Sequence, residues 1–384
     1  MRCASRATGA GAGRGRARGF LAAFVLVLAV CCMVPQAHAQ VGPSPSPSPT
    51  PTPSPTPSPT PTAGLANNKV STQNQVVNLG SSFLERLLNQ TTNGVSRDQR
   101  NNPGGGGASE ATADGLRFRS WTELYGVYMT TSAQGNFVGD RRTTAGGVAG
   151  LGVTLMPGVN IGFSVDQSHT DIDVPLALQS ASLDLTQFGF NASVDKGPWT
   201  WAIAVVHGFG NINASRDTGF GIASSGYEAQ LDGVLTEIDY YWTMGQSRIV
   251  PKAGLEYVHS TTSAFQEIGG LDPVMVSAAT VERSRLLLGA EVGHYFIFDQ
   301  KILDVSAYGK FVDNFAQDFG SVLVSLGPQS ISVAGIGESQ YGADAGAAAS
   351  LSLTNTARLY LNYDGKFRSN LQSHQATLGF EYKW

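Results

Sequence analysis

Five histidines beyond residue 40 are the side chains best suited to chemistry at neutral pH: His169, His207, His259, His294 and His374. An imidazole titrates in the physiological range and can serve as a general base or a metal ligand. His169-Thr170-Asp171 sets a carboxylate two residues from an imidazole, and on an extended strand those two share a face. A hydrolytic site needs more than this pair: a nucleophile beside the base, a group that orients the base, and donors for the oxyanion. No H-E-x-x-H, G-x-S-x-G or Walker pattern supplies them. Gly9-Ala10-Gly11-Ala12-Gly13 follows no strand and opens no nucleotide-binding unit, so it is not read as a phosphate loop. The three cysteines are Cys3, Cys31 and Cys32, which leaves the rest of the chain without a thiol nucleophile, a cysteine–metal site or a disulfide. The expectation is a protein that is not an enzyme, with no catalytic residue, no cofactor and no metal.

The composition points elsewhere. The 384 residues include 46 Gly, and only 14% are charged. All charges before residue 40 are arginines (Arg2, Arg6, Arg14, Arg16 and Arg18); without those five, 20 basic residues face 29 acidic ones, a net charge of −9. Such a chain repels a phosphate backbone, so nucleic acid is not expected as a partner.

Residues 1–39 read as a secretory signal. An Arg-rich start precedes the uncharged run Phe20–Val34, and Ala37-His38-Ala39 offers a small-x-small cleavage site near Ala39. A lipid anchor at Cys31 is the alternative, but Val30 stands where a lipobox carries a small residue. Residues 40–66 are a disordered Pro/Ser/Thr-rich linker. Within it, 43–62 alternate Pro with Ser or Thr, a pattern that excludes helix and central strand and favours an extended polyproline rod of roughly 60 Å. Residues 67–115 hold a short amphipathic helix, expected over Thr72–Asn89, and a Gly-rich linker. Thr72 and Gln75 have capping-box spacing, and Val76, Leu79, Phe83, Leu84, Leu87 and Leu88 form a helical stripe. Lodging in a watery pore is one reading of this helix, although a wide apolar stripe argues for a packed neighbour instead.

From residue 116 to 384 the hydrophobic period changes to two. Twelve alternating segments fall in windows 117–130, 143–156, 159–168, 180–195, 198–211, 226–242, 247–260, 281–298, 301–313, 340–353, 357–368 and 372–384. Short connections follow the even segments, as at Pro157-Gly158 and Lys196-Gly197, and longer ones follow the odd segments, apart from the last. Sorting by side is the mark of an outer-membrane barrel, with tight periplasmic turns and longer outer loops. Aromatic pairs Trp199/Trp201, Tyr240/Trp242 and Phe296/Phe298 stand beside the short turns, where an interfacial girdle belongs. The fold class is therefore all-β: a 12-stranded antiparallel transmembrane β-barrel, preceded by the amphipathic helix and the Pro-rich linker. A soluble β-sandwich would give no reason for this sorting.

If the apolar faces meet lipid, the opposite faces line the lumen. The lumen-lining candidates are Glu123, Glu237, Asp239, Lys252, Glu256, Arg285, Glu291, Asp304, Lys310 and Arg358, with Asp364, Glu381 and Lys383 beside them. Charges of both signs in a confined space should pair. The last segment carries Ala376, Leu378, Phe380, Tyr382 and Trp384 on one face; it is expected to close the barrel against the first strand near Trp121.

With these residues in place, 116–384 resembles the autotransporter β-domain family of type V secretion. The Gly-rich second segment (Gly146 to Gly152), the Pro157-Gly158 turn and the ending Phe380-x-Tyr382-x-Trp384 carry the resemblance. It implies a Gram-negative outer-membrane translocator, a monomer in lipid, and a terminal strand read as an assembly signal by the barrel-assembly machinery, with periplasmic chaperones as further partners. It also raises in-pore cleavage at Asn67-Asn68 or Asn101-Asn102. Two functions are expected from different classes: a translocator that anchors or exports a short N-terminal segment with no large passenger, or a passenger-less diffusion pore plugged by that segment.

Overall fold

Alternation of apolar and polar residues gives each segment two faces, and twelve such strands close on themselves in the computed structural model. It describes residues 61–92, 117–298 and 301–384. The residues read as a signal, residues 40–60 of the expected Pro-rich linker, the expected Gly-rich linker with Asn101-Asn102, and Asp299-Gln300 lie outside the described residues.

The barrel strands are β1 (Arg117–Thr131), β2 (Asp140–Met156), β3 (Val159–Val174), β4 (Gln179–Lys196), β5 (Trp199–Asp217), β6 (Ile222–Tyr240), β7 (Ser247–Thr262), β8 (Ala279–Phe298), β9 (Lys301–Asp318), β10 (Tyr341–Ser352), β11 (Ala357–Arg368) and β12 (Leu371–Lys383). Each pairs antiparallel with its sequence neighbours. β12 closes the ring on β1, with Trp121 opposite Glu381, Leu124 opposite Leu378 and Thr131 opposite Leu371. Closure satisfies every strand edge, the condition for crossing a bilayer with sheet.

The two faces separate cleanly. On β1, Leu124 is 69% exposed while neighbouring Glu123 is 2%. Trp199, Trp201, Tyr240, Trp242, Phe298, Tyr382 and Trp384 all face outward near the short-turn end. Phe118 and Trp384 stack there at 6.3 Å and exchange both backbone hydrogen bonds at 3.1 Å. Short turns need backbone that L-residues avoid: Gly158 sits at φ 82°, and a Cβ on it would meet the Asp195 carbonyl oxygen at 2.6 Å. We expect Phe380→Ser with Trp384→Ser to remove two girdle side chains and a β1 contact. The heat-modifiable barrel recovered from membranes should then fall well below wild type; an unchanged yield would mean the terminal face plays no part in assembly.

Two connections differ from the sequence-based expectation. β3 continues past 168 to Val174, and β5 past 211 to Asp217, so the connections after them shrink to 175–178 and 218–221. Period-two hydrophobicity marks only the part of a strand with one face in lipid. Beyond it both faces accept polar residues, as in Ser168-His169-Thr170-Asp171, while backbone pairing goes on. The long outer segments 263–278 and 319–340 are not plain loops. They build a four-stranded sheet from Phe265–Gln266, Met275–Val276, Ser321–Leu326 and Gln329–Ala334.

The helix is α1 (Asn67–Thr92), led in by a 3-10 turn at Ala63–Ala66. It begins five residues before Thr72. The Thr72 hydroxyl donates to the Lys69 carbonyl and meets the Tyr227 hydroxyl at 2.8 Å, and Gln75 donates to Thr144. The Thr72/Gln75 spacing thus serves tertiary contacts and not a capping box.

Candidate functional site

The feature with functional content is α1, because it runs inside the barrel. From Asn67 to Gln90 only Ser82, Glu85 and Asn89 are less than fully buried. Its direction is fixed at both ends. The Asn68 side-chain amide donates to the Ser180 and Ser215 carbonyls at 3.0 and 3.1 Å, and Lys69 donates to the Ser263 carbonyl, all at the long-loop end. At the short-turn end, Gln90 donates to Glu123 and Tyr360 at 2.8 Å, and Arg119 donates to the Gln90 carbonyl at 2.6 Å. The N-terminus therefore lies at the long-loop mouth.

The apolar stripe, which argued against a pore, has a partner in the lumen wall. Val76, Phe83, Leu84 and Leu87 join one core with Leu183, Leu185, Ala204, Val206, Leu231 and Leu235 on the inner faces of β4–β6. The lumen is not uniformly wet, and each Val, Leu or Phe side chain among these contributes about 1.5–3 kcal/mol on full burial. Small residues let the backbones approach. A Cβ on Gly80 would fall 2.6 Å from Leu231, and one on Gly189 2.5 Å from Leu87.

The opposite side of α1 meets charge. Glu85 bridges Arg285 at 2.7 Å and Lys366 at 3.1 Å. Ser81 donates to Glu256 at 2.7 Å, and Arg283 donates to Asn78 at 3.0 Å. Arg86 lies 3.5 Å over the Tyr125 ring, donates to Gln375 at 3.2 Å and stands 3.7 Å from Glu123. Buried charges are tolerated only when paired and hydrogen-bonded, and nearly every ion here has a partner of opposite sign.

The ten lumen-lining candidates fall into two groups. Glu123, Glu256 and Arg285 bond to the helix or to its partners, with Arg285 and Glu256 paired at 2.6 Å. The other seven pair chiefly with the wall. Lys252 stands 3.6 Å from Glu237, 3.8 Å from Asp239 and 3.7 Å from Glu291, and Lys310 stands 3.5 Å from Glu237. Arg248 bridges Glu291 at 2.8 Å and also holds Asp304. Arg358 pairs with Glu381 at 2.8 Å. Sequence reasoning missed Arg283, Lys366 and Arg368, and the helix's own Glu85 and Arg86. Arg283 was within reach, since it lies two residues before Arg285 and shares its face.

A missed contact reaches into the lumen at the outer mouth. Glu338, from segment 335–340, reaches in to Arg283 and to Arg368, the latter at 3.3 Å, and Arg368 also pairs with Asp344 at 2.8 Å. Burial pushes the Glu338 carboxyl up, but the guanidinium groups of Arg283 and Arg368 outweigh it and hold the pKa at about 2. The Asn74 side chain donates to the Ile336 carbonyl at 2.9 Å, so this segment is tied to the helix as well. Beside it, Ala66, Val274, Val276, Val322, Val324 and Val333 pack the outer sheet onto the 3-10 turn.

The histidines all stand on strands away from this lumen. His169 meets Asp184 at 2.7 Å across the strand and Asp171 at 3.4 Å, and His207 meets Asp232 at 2.8 Å. His259 faces Glu282 at 3.4 Å, His294 contacts Ser247, and His374 contacts Tyr363, each of these two at 2.8 Å. No serine or threonine nucleophile joins a His–carboxylate pair in these contacts, and among the described residues no His, Cys, Asp or Glu group has metal-site geometry.

Comparison with known proteins bears on this arrangement. Residues 120–364 match the family model of the autotransporter beta-domain. An extracellular serine protease of Serratia marcescens is 23% identical over 283 residues, which cover 69% of this chain and 26% of that protein. The chain thus spans about a quarter of that relative's length. Among solved structures, the translocator domain of the autotransporter NalP from Neisseria meningitidis superposes with a TM-score of 0.61 at 14% identity, covering 83% of this chain and 98% of that one. The beta domain of the Bordetella autotransporter BrkA gives 0.51 at 16% identity, covering 69% and 98%.

Proposed function

The chain belongs to the autotransporter β-domain family, whose barrels reside in the Gram-negative outer membrane, and on that premise we propose that this translocator holds α1 as the trailing end of a segment delivered to the cell surface. The observation that carries the reading is the polarity of α1. Its N-terminal turn sits under the outer sheet at the long-loop mouth, and its C-terminus sits by Glu123 and Arg119 at the short-turn end. In this reading the segment before Ala63 is what the barrel delivers outward, and the Pro/Ser/Thr run at 43–62 serves as its spacer. The wall charges and the Phe83–Leu87 packing anchor what remains in the pore. In this reading residues 1–39 direct export to the periplasm, Ala376, Leu378, Phe380, Tyr382 and Trp384 present the face used for assembly, and the barrel works as a monomer.

The experiment is surface shaving. An epitope inserted at Pro51 should be removed by added protease on intact cells, while the barrel is retained. Protection of that epitope until the outer membrane is permeabilised would end the display reading and leave only the barrel.

A further inference from the structure

On its outer side the barrel carries a polar panel where lipid has already ended. The last apolar side chains on this side include the paired Val165 and Phe188 and, one row further out, Phe209. β3 then runs on from Val165 to Asp173, a rise of roughly 20 Å for a strand tilted about 40°. In that stretch the outward residues line up across four strands. One row reads Asp173, Ser180, Ser215 and Ser224. The row below reads Asp171, Ser182, Asn213 and Gly226. Together they floor an open groove of about 710 Å³, walled on one edge by Ile268, which bridges to Ser224.

We propose that this groove binds saccharide, and that its occupant is the sugar chain of the outer leaflet's own glycolipid. Three features select that chemistry. The lining offers small hydroxyls, an amide and two carboxylates, the groups that accept from and donate to ring hydroxyls. Its lining includes no Lys or Arg, and Asp171 and Asp173 repel phosphate; the cation at its edge, Arg141, stands directly opposite Asp173 across the strands, so the groove itself is a poor fit for the polyanionic part of a lipid. The groove lies roughly 10–15 Å beyond the Phe209 row on the same surface, at the level where a membrane-anchored sugar chain must pass. Its volume is within the ordinary range of ligand sites, and Ile268 supplies an apolar wall for the C–H face of a ring. The inference rests on the barrel's seat in the outer membrane, not on export of the N-terminal segment, so the two can fail separately.

The test uses full-length protein in detergent, delipidated and dephosphorylated core oligosaccharide from lipopolysaccharide, and lipid A, whose only sugar is its phosphorylated diglucosamine, as a second probe. Saturable binding of the oligosaccharide is expected, weakened roughly tenfold in Ser182→Leu/Asn213→Leu, the loss of about 1.4 kcal/mol. Both side chains face outward, and retained heat-modifiability will show that the variant is folded. Lipid A should give no groove-dependent signal. No oligosaccharide binding at millimolar concentration, equal binding by the variant, or groove-dependent binding of lipid A alone would each overturn the assignment.

Discussion

Barrels lacking residues 61–92 are expected to conduct in planar bilayers, with discrete steps where the full-length chain shows only baseline. The physical reason is volume. A helix with its side chains is about 10–12 Å across, and α1 fills that bore from Asn67 to Gln90 with almost no exposed surface. Removing it leaves the apolar wall of Leu183, Leu185, Leu231 and Leu235 facing water, and frees Glu123, Lys366 and Arg283 of their helix partners. The wall-to-wall pairs around Lys252 and Arg248 stay, so the new pore should be lined by charge around β7–β9 and by hydrocarbon on the adjoining β4–β6 wall. A truncated barrel that remained sealed would mean that the ion lattice and the outer sheet close the lumen by themselves. It would also remove the plugged-pore reading of the N-terminal segment.

Glu85→Ala should loosen the helix more than any other single charge change. Glu85 is the helix's contact with Arg285 and Lys366 together. Removing one partner of a buried pair costs about 3–5 kcal/mol, because the remaining charge is left without compensation. The lower end applies here, since Arg285 keeps Glu256 at 2.6 Å and Lys366 keeps the Ser82 hydroxyl at 3.2 Å. Hydrogen-exchange protection of amides in residues 76–90 should then drop by roughly a hundredfold, at 1.4 kcal/mol per factor of ten. A second change, Lys366→Ala, should restore part of the loss, because it removes the stranded ammonium. Protection unchanged in the single variant would show that the apolar stripe alone holds α1.

The barrel was legible because lipid imposes a rule that sequence must obey residue by residue. Leu124 and Glu123, or Tyr382 and Glu381, cannot exchange faces, so strand number and closure follow from alternation. Outside the lipid that rule stops, which is why the extensions of β3 and β5 were read as loops. The placement of α1 was hidden for a different reason. An apolar stripe states that a helix packs, but its partner is an inner wall whose Leu183, Leu185 and Leu231 each sit within otherwise ordinary alternation. Nothing local marks those leucines as a docking surface, and Gly80 and Gly189, which let the two approach, are two glycines among 46. The charge network was half visible: inward charges could be read from β-strand period, but Glu338 comes from an outer segment with no period at all.

The register and direction of α1 in the lumen carry the whole account, and one cross-link tests both. A Cβ built on Gly80 lies 3.2 Å from Leu231 Cγ, within reach of disulfide geometry. In cells expressing Gly80→Cys/Leu231→Cys, with Cys3, Cys31 and Cys32 replaced by Ala, oxidation should form an internal disulfide in the assembled barrel and hold the helix through denaturing electrophoresis. Failure of that pair to bridge, with ready bridging when Leu231→Cys is matched instead to a cysteine near Asn68, would place the helix in another register or orientation and contradict the account.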